Sequence, residues 1–195
     1  MYNISKILVF LVALLLFTII ISIILEHSEL FLEYRTANNN IKYGVQEKFN
    51  QSDKALNLIA KLHDEMTNFV SDLKKKMPDD ERVNRLSKGM GRLKLEEAPN
   101  DDGSSYTINK GDLMALCLRH KQGDHPFHNY NTLQFVTIHE LAHIASISEG
   151  HNKEFIDNFR FLLREANALG YYEPVNYANS PITYCGVKVT NNPFF

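Results

Sequence analysis

The chain has 195 residues, 44% of them hydrophobic, a formal net charge of −2 and two cysteines. That length holds one domain of ordinary size once any membrane segment is set aside. The near-neutral balance offers no overall electrostatic footprint for nucleic acid, and two distant cysteines exclude both a disulfide framework and the paired spacing of a cysteine zinc site. Cys117 and Cys185 read equally well as one structural disulfide or as two buried thiols.

Residues 7–25 form nineteen positions without a charge, enough at about 1.5 Å per residue to cross a hydrocarbon core of about 30 Å. With the residues before it, this segment (1–25) reads as an uncleaved transmembrane signal anchor. The apolar run is too long for a signal peptide, and Ile23-Ile24-Leu25-Glu26-His27 lacks a small-residue cleavage site. Lys6 ahead of the span, and Glu26, Glu29 and Glu33 behind it, place the N-terminus in the cytoplasm and the C-terminal domain on the non-cytoplasmic side. Residues 26–50 are polar, include the turn-favouring Asn38-Asn39-Asn40, and read as a stalk. Of the sequons at Asn3 and Asn50, only Asn50 would then be open to glycosylation.

The folded domain is expected over 51–195, with an N-terminal helical part at 52–95. Between residues 52 and 77, Ala55, Leu58, Ile59, Leu62, Met66 and Phe69 mark one helical stripe, which Pro78 ends. A shorter helix starts near Asp79-Asp80 and turns Val83 and Leu86 inward. Its Arg82, Arg85, Lys88 and Arg92, with Lys94 and the preceding Lys74-Lys75-Lys76, form the one basic cluster, read as a solvated face because acids are interspersed. A polar loop precedes two strands, 105–108 and 113–119, which flank Asn109-Lys110-Gly111-Asp112 as a hairpin. The second of these, just ahead of the metal helix, is expected to offer an edge along which an extended peptide could pair its main chain. His120, His125 and His128 follow in a polar turn and read as exposed loop histidines in preference to a second metal site.

Asn131, with Gln134 three residues on, is expected to cap the next helix. That helix carries His139-Glu140-Leu141-Ala142-His143. At 3.6 residues per turn His139 and His143 share a face, so both imidazoles reach one metal ion while Glu140 lies beside them, the arrangement of zinc hydrolases. Apolar neighbours such as Phe135, Val136, Ile138 and Leu141 make the three polar residues intrusions in a buried surface, and such intrusions need partners. Gly150 permits a sharp turn after the helix and returns His151 toward the pair. Three imidazoles and a water would complete an open tetrahedral site for one zinc ion per chain. Glu165 and Asp157, on the packed helix of residues 152–169, are the competing third ligands. In the tail, Tyr184 beside Cys185-Gly186 is the first choice of several tyrosines to donate to a developing oxyanion.

The segments His139-Glu140-Leu141-Ala142-His143 and Gly150-His151-Asn152-Lys153-Glu154-Phe155 resemble the WLM and SprT-like zincin metalloproteases. Over about residues 51–195, including Asp79-Asp80-Glu81-Arg82-Val83 and Tyr184-Cys185-Gly186, the chain also resembles membrane-anchored metallopeptidase-like proteins of large DNA viruses. The spacing from His143 to His151 is two residues longer than usual for WLM and shorter than for SprT-like members, which leaves the subfamily open. The resemblance implies a zincin fold, Zn2+ held by His139, His143 and His151, and peptide hydrolysis with Glu140 as base. The expected molecule is therefore α+β, a zincin-like core of small mixed or antiparallel sheet and metal helix, preceded by helices and one transmembrane helix. It would be a membrane-anchored zinc metallopeptidase acting on protein or peptide substrates, with nucleic acid an unlikely partner. The rivals are a latent zinc-binding scaffold, against which an intact Glu140 speaks, and a DNA-associated protease of the WLM/SprT-like kind, against which the span and the charge speak.

Overall fold

A computed structural model describes the backbone of residues 2–28, 32–99 and 103–195 and, along the first helix, the side chains of Lys6 and residues 8–22. The elements in chain order are α1 (Tyr2–Ser28), β1 (Leu32–Thr36), β2 (Lys42–Gln46), α2 (Ser52–Lys76), α3 (Glu81–Met90), β3 (Lys94–Glu97), β4 (Tyr106–Ile108), β5 (Leu113–Leu116), α4 (Tyr130–Ala145), α5 (Lys153–Ala168), β6 (Ile182–Tyr184) and β7 (Val187–Val189). The fold is α+β, as expected. A five-stranded mixed sheet runs β1-β2-β3-β5-β4, and β6-β7 is a separate hairpin. Helix α2 lies on β2 and β3, α3 joins α2 to α4, and α4 packs between β4 and α5.

The described side chains of α1 are exposed, with Val9 and Phe10 each at 67%. Among the described residues no helix is long and apolar enough to cross a membrane. The expected span of residues 7–25 extends past those side chains, since the side chains of residue 7 and residues 23–25 lie outside the described ones.

Two expectations about the N-terminal half are corrected. Residues 26–50 are not simply a stalk: residues 32–46 form the antiparallel β1-β2 hairpin, and β2 joins the main sheet beside β3 in parallel register. The segment looks like a linker because β1 is an edge strand carrying Glu33 and Arg35, which suits an edge that must resist further pairing. It is drawn into the domain by Tyr43 and Val45, both fully buried, and the Tyr43 hydroxyl meets His63 Nδ1 of α2 at 2.8 Å. The asparagine turn is real, with Asn40 at φ 61°. The second correction is β3, whose first two residues fall at the end of the stretch expected to be helical. The four-residue strand lies parallel to β5 and turns Leu95 and Glu97 inward, too short a pattern to stand out beside two amphipathic helices.

The amphipathic stripe of α2 is buried as its spacing requires, and Asp80 caps α3 by accepting from the Arg82 and Val83 amides. The basic cluster is locally paired: Lys76 with Glu165 at 2.6 Å, Arg82 with Asp80 at 2.6 Å and Arg92 with Asp112 at 2.8 Å. The turn between β4 and β5 has Asn109, Lys110 and Gly111 all at positive φ. At Gly111 a Cβ would also meet the Gly89 Cα at 3.0 Å, so this turn can lie directly on α3 only with glycine there.

Under the sheet Arg119 and Glu97 form an ion pair at 2.7 Å, 3% and 1% exposed. Glu97 also accepts from the Gln46 amide at 2.8 Å, and Arg119 donates to the Asn50 carbonyl at 2.6 Å and lies over the Phe127 ring. Burial raises the Glu97 pKa, and the Gln46 amide and Arg119 oppose that rise. Because β2, β3 and the segment after β5 all meet here, removing one partner strands a charge in the core. Arg119→Met is expected to cost about 3–5 kcal/mol, seen as a lower midpoint in denaturant. The double variant Arg119→Met/Glu97→Leu should recover part of that loss, and no recovery would show that the two side chains are not coupled.

Candidate active site

Helix α4 begins two residues earlier than its sequence suggests. Its cap is Asn129, whose side chain accepts from the Asn131 amide at 2.9 Å. Gln134 does not close a capping box but donates to Glu65 of α2 and to the Tyr171 carbonyl. Packed between other elements, the helix buries nearly its whole circumference, including Glu140 at 2% exposure, while His139 and His143 open to a cleft. The cleft encloses about 600 Å³ and also receives Thr107 of β4, His151, Tyr184 and the β7 side chains.

The three expected ligands come together. Donor atoms of His139, His143 and His151 all lie within 4.8 Å of one another, and the Nε2 atoms of His139 and His151 are 3.0 Å apart. The rings form a near-equilateral triangle with centroid separations of 5.0, 4.9 and 4.9 Å. Phe155 packs against all three at 4.3 to 4.8 Å, an apolar backing that restricts their orientations. Burial, with the neighbouring imidazoles, pushes His139 down to about 3 and His143 to about 4. Neutral imidazoles with lone pairs converging at such distances are a donor set suited to a divalent transition metal. The competing ligands point elsewhere: Glu165 is paired with Lys76, and Asp157 with Lys153 and Arg160.

His151 is returned to the cleft by the turn that Gly150 permits at φ 77°. The loop is fastened by groups not singled out in the sequence. The Glu154 carboxylate accepts from the amides of Ile147 at 2.8 Å and Ser148 at 3.0 Å and from the Ser148 hydroxyl at 2.5 Å, which holds its pKa down to about 2. Lys110, from the β4-β5 turn, donates to the Ser148 carbonyl at 2.7 Å. Asn152 caps α5 by accepting from the Phe155 amide, fixing where the loop ends.

Glu140 sits beside the imidazoles, and Thr107 Oγ1 donates to its Oε2 at 2.8 Å. Burial raises its pKa to about 7 against the lowering effect of Thr107. Thr107 was legible only as a strand residue, since nothing local announces a partner 33 positions away. Tyr184 does line the cleft, but its hydroxyl is buried, donates to the Cys117 carbonyl at 2.8 Å and meets Ser105 Oγ at 2.5 Å. Those bonds favour a structural use over the expected donation to an oxyanion. Cys117 and Cys185 are joined in a disulfide, so the first of the two readings holds. The loop histidines depart from expectation: His128 is buried at 6% exposure, and His120 and His125 are half-buried. Glu154→Gln should loosen the His151 loop and weaken metal affinity by on the order of 10-fold, measured by competition with a chromogenic chelator. Unchanged affinity would mean that the loop is held without the carboxylate.

Known proteins are similar to parts of this chain. The family model of the WLM domain matches residues 104–192. Uncharacterized protein R325 of Acanthamoeba polyphaga mimivirus is 36% identical over 94 residues, covering 48% of this chain and 47% of the relative. Uncharacterized protein 136R of Invertebrate iridescent virus 6 is 41% identical over 85 residues, covering 43% and 45%. The matched part thus spans about half the length of these viral relatives. The crystal structure of the Wss1 E203Q mutant from S. pombe is 23% identical with a TM-score of 0.41, covering 60% of this chain and 89% of that one. The chain is thus similar to the WLM domain over residues 104–192, which hold all three histidines and Glu140, and it is similar to proteins encoded by large DNA viruses.

Proposed function

We propose that the chain is a zinc metallopeptidase that cuts extended peptide segments, anchored to a membrane by its N-terminal helix. The observation that carries the reading is the convergence of His139, His143 and His151 beside a buried carboxylate in an open cleft. His139, His143 and His151 would hold the ion through their ring nitrogens. Bound there, zinc would polarise the scissile carbonyl and lower the pKa of a water molecule toward about 7. Glu140 would then act as the base, its carboxylate accepting a proton from water and passing it to the leaving amine, with Thr107 fixing the carboxylate's orientation from β4. The substrate lies along β4, not along β5, which β3 and β4 flank; β4 is a sheet edge whose far side has no strand partner among the described residues and whose Tyr106 and Ile108 are 39% and 41% exposed. Main-chain pairing there is indifferent to side-chain identity, so an extended, unstructured segment is the favoured substrate class. Tyr184 serves this site by shaping the cleft floor through Ser105 and Cys117.

Support for the anchor is the exposed apolar surface of α1, with Leu8 at 62% and Phe17 at 60% exposure. An apolar helix left in water on every described side needs lipid or a partner to cover it. The proposed span is residues 7–25, with the catalytic domain on the non-cytoplasmic side. Carbonate extraction of the full-length protein should leave it in the membrane pellet, and release into the supernatant would remove the anchor from the proposal. Asn50 is exposed and would report the orientation through glycosylation.

The enzymatic reading is tested by comparing wild type with Glu140→Gln on unstructured proteins in zinc-replete buffer. The variant keeps size and hydrogen bonding but not the base, so cleavage should fall on the order of 100-fold or more while zinc content stays near one per chain. His143→Ala should lose the metal together with activity. Equal cutting by wild type and Glu140→Gln would remove Glu140 as base. No cutting by either, with zinc bound, would favour the latent scaffold.

A further inference from the structure

A second group of metal-ligating side chains lies across the domain wall from the histidine triangle: Cys117, Cys185 and His128, all buried, with donor atoms within 4.8 Å of one another. The backbone fixes each of them. His128 and Leu118 are joined by an amide-to-carbonyl bond at 2.9 Å, and a similar bond joins His120 to Pro126, so the loop closes with His128 beside the end of β5. Cys185 occupies the two-residue turn of the β6-β7 hairpin, at φ 47°, with Gly186 at φ 82°.

Two features suit a metal site as well as a disulfide. The first is His128, whose Nε2 is 3.3 Å from the Cys185 sulfur. A disulfide sulfur is a weak acceptor, and the imidazole also hydrogen-bonds the Arg119 backbone, which holds one ring edge while the other faces the sulfur. The second is the Cα separation of Cys117 and Cys185, 6.4 Å, toward the wide end of the usual disulfide range of about 4.4–6.8 Å. After reduction the sulfurs can therefore part by side-chain rotation, without backbone movement, to grip an ion between them.

We propose that Cys117, Cys185 and His128 form a second metal site, a buried bis-thiolate and imidazole site for zinc, of which the disulfide is the oxidised form. A dithiol or phosphine reductant supplies two electrons that break the S–S bond, and the reductant is itself oxidised. The two resulting thiols each lose a proton as the sulfurs bind the ion, and His128 donates a nitrogen lone pair. One position of a tetrahedron is left. A water would fill it, or His120, whose ring centroid lies 3.9 Å from that of His128. The site bears on the cleft because Tyr184 precedes Cys185 and β7 lines the opening. Disulfide and metal are thus two ways of pinning the same cleft wall, one suited to an oxidising compartment and one to a reducing one.

Cobalt(II) separates this site from the histidine triangle, because only thiolate ligands give an intense sulfur-to-cobalt charge-transfer band in the near ultraviolet. Full-length protein in detergent is titrated with cobalt, with the disulfide intact and after phosphine reduction. The reduced chain should take up one equivalent more than the oxidised chain, with the band rising over that equivalent. The band should persist in reduced His143→Ala, which separates this proposal from the peptidase reading. It should weaken or require at least 10-fold more cobalt in reduced His128→Ala. A reduced chain that binds cobalt without the band, or not at all, overturns the site, and a band unchanged in His128→Ala overturns its ligand set.

Discussion

Three polar side chains on a helix that has almost no free surface are the constraint from which most of this structure follows. Helix α4 is packed by α3, α5, α2 and β4, and an unpartnered imidazole or carboxylate in such a position costs several kcal/mol by order of magnitude. The surroundings meet that cost group by group. His139 and His143 face a third imidazole, Glu140 receives the Thr107 hydroxyl, and Phe155 fills the space behind the rings. The same burial that makes these groups expensive also keeps the imidazoles neutral and lifts the carboxylate toward a basicity useful near neutral pH.

Placing the third imidazole is a problem of backbone control. The helix ends at Ala145, and only a few residues are available to reverse direction. Gly150 allows the reversal, but a flexible loop would hold His151 poorly. Glu154 answers by binding two amides and a hydroxyl from the first turn of α5, where a carboxylate also favours the positive end of the helix dipole. Arg85 reaches the Ala145 carbonyl from α3 and Lys110 reaches Ser148 from the β4-β5 turn, so the loop is gripped from three elements. The turn joining β4 to β5 thereby ties the sheet edge at β4 to the loop that presents His151.

The opposite wall of the cleft is tied to the sheet by the last short hairpin. Tyr184 spends its hydroxyl on Ser105 and the Cys117 carbonyl, and the Cys117–Cys185 bond fastens the turn next to it. The buried Arg119–Glu97 pair lies just beyond, linking the strand after β5 to β2 and β3. The cleft is thus framed by covalent and ionic contacts between segments far apart in the chain, which is how a small domain keeps an open groove beside a single core.

What the sequence alone determined was local. The 3.6-residue period placed His139 and His143 on one face, Gly150 marked the reversal that brings back His151, the amphipathic stripes marked α2 and α5, and Asn-Lys-Gly-Asp marked the β4-β5 turn. Each depends on a few neighbouring residues and on the geometry of one element. Tertiary structure alone decided the rest. Residues 32–46 look like a linker because an edge strand is polar, and only the packing of Tyr43 and Val45 makes them part of the sheet. The Thr107 bond to Glu140 joins residues 33 positions apart, the disulfide joins cysteines 68 apart, and His128 is buried because a distant hairpin covers it. Partners at such separations leave no periodic trace in the chain, because the energy that fixes them is released only when the core around them has closed.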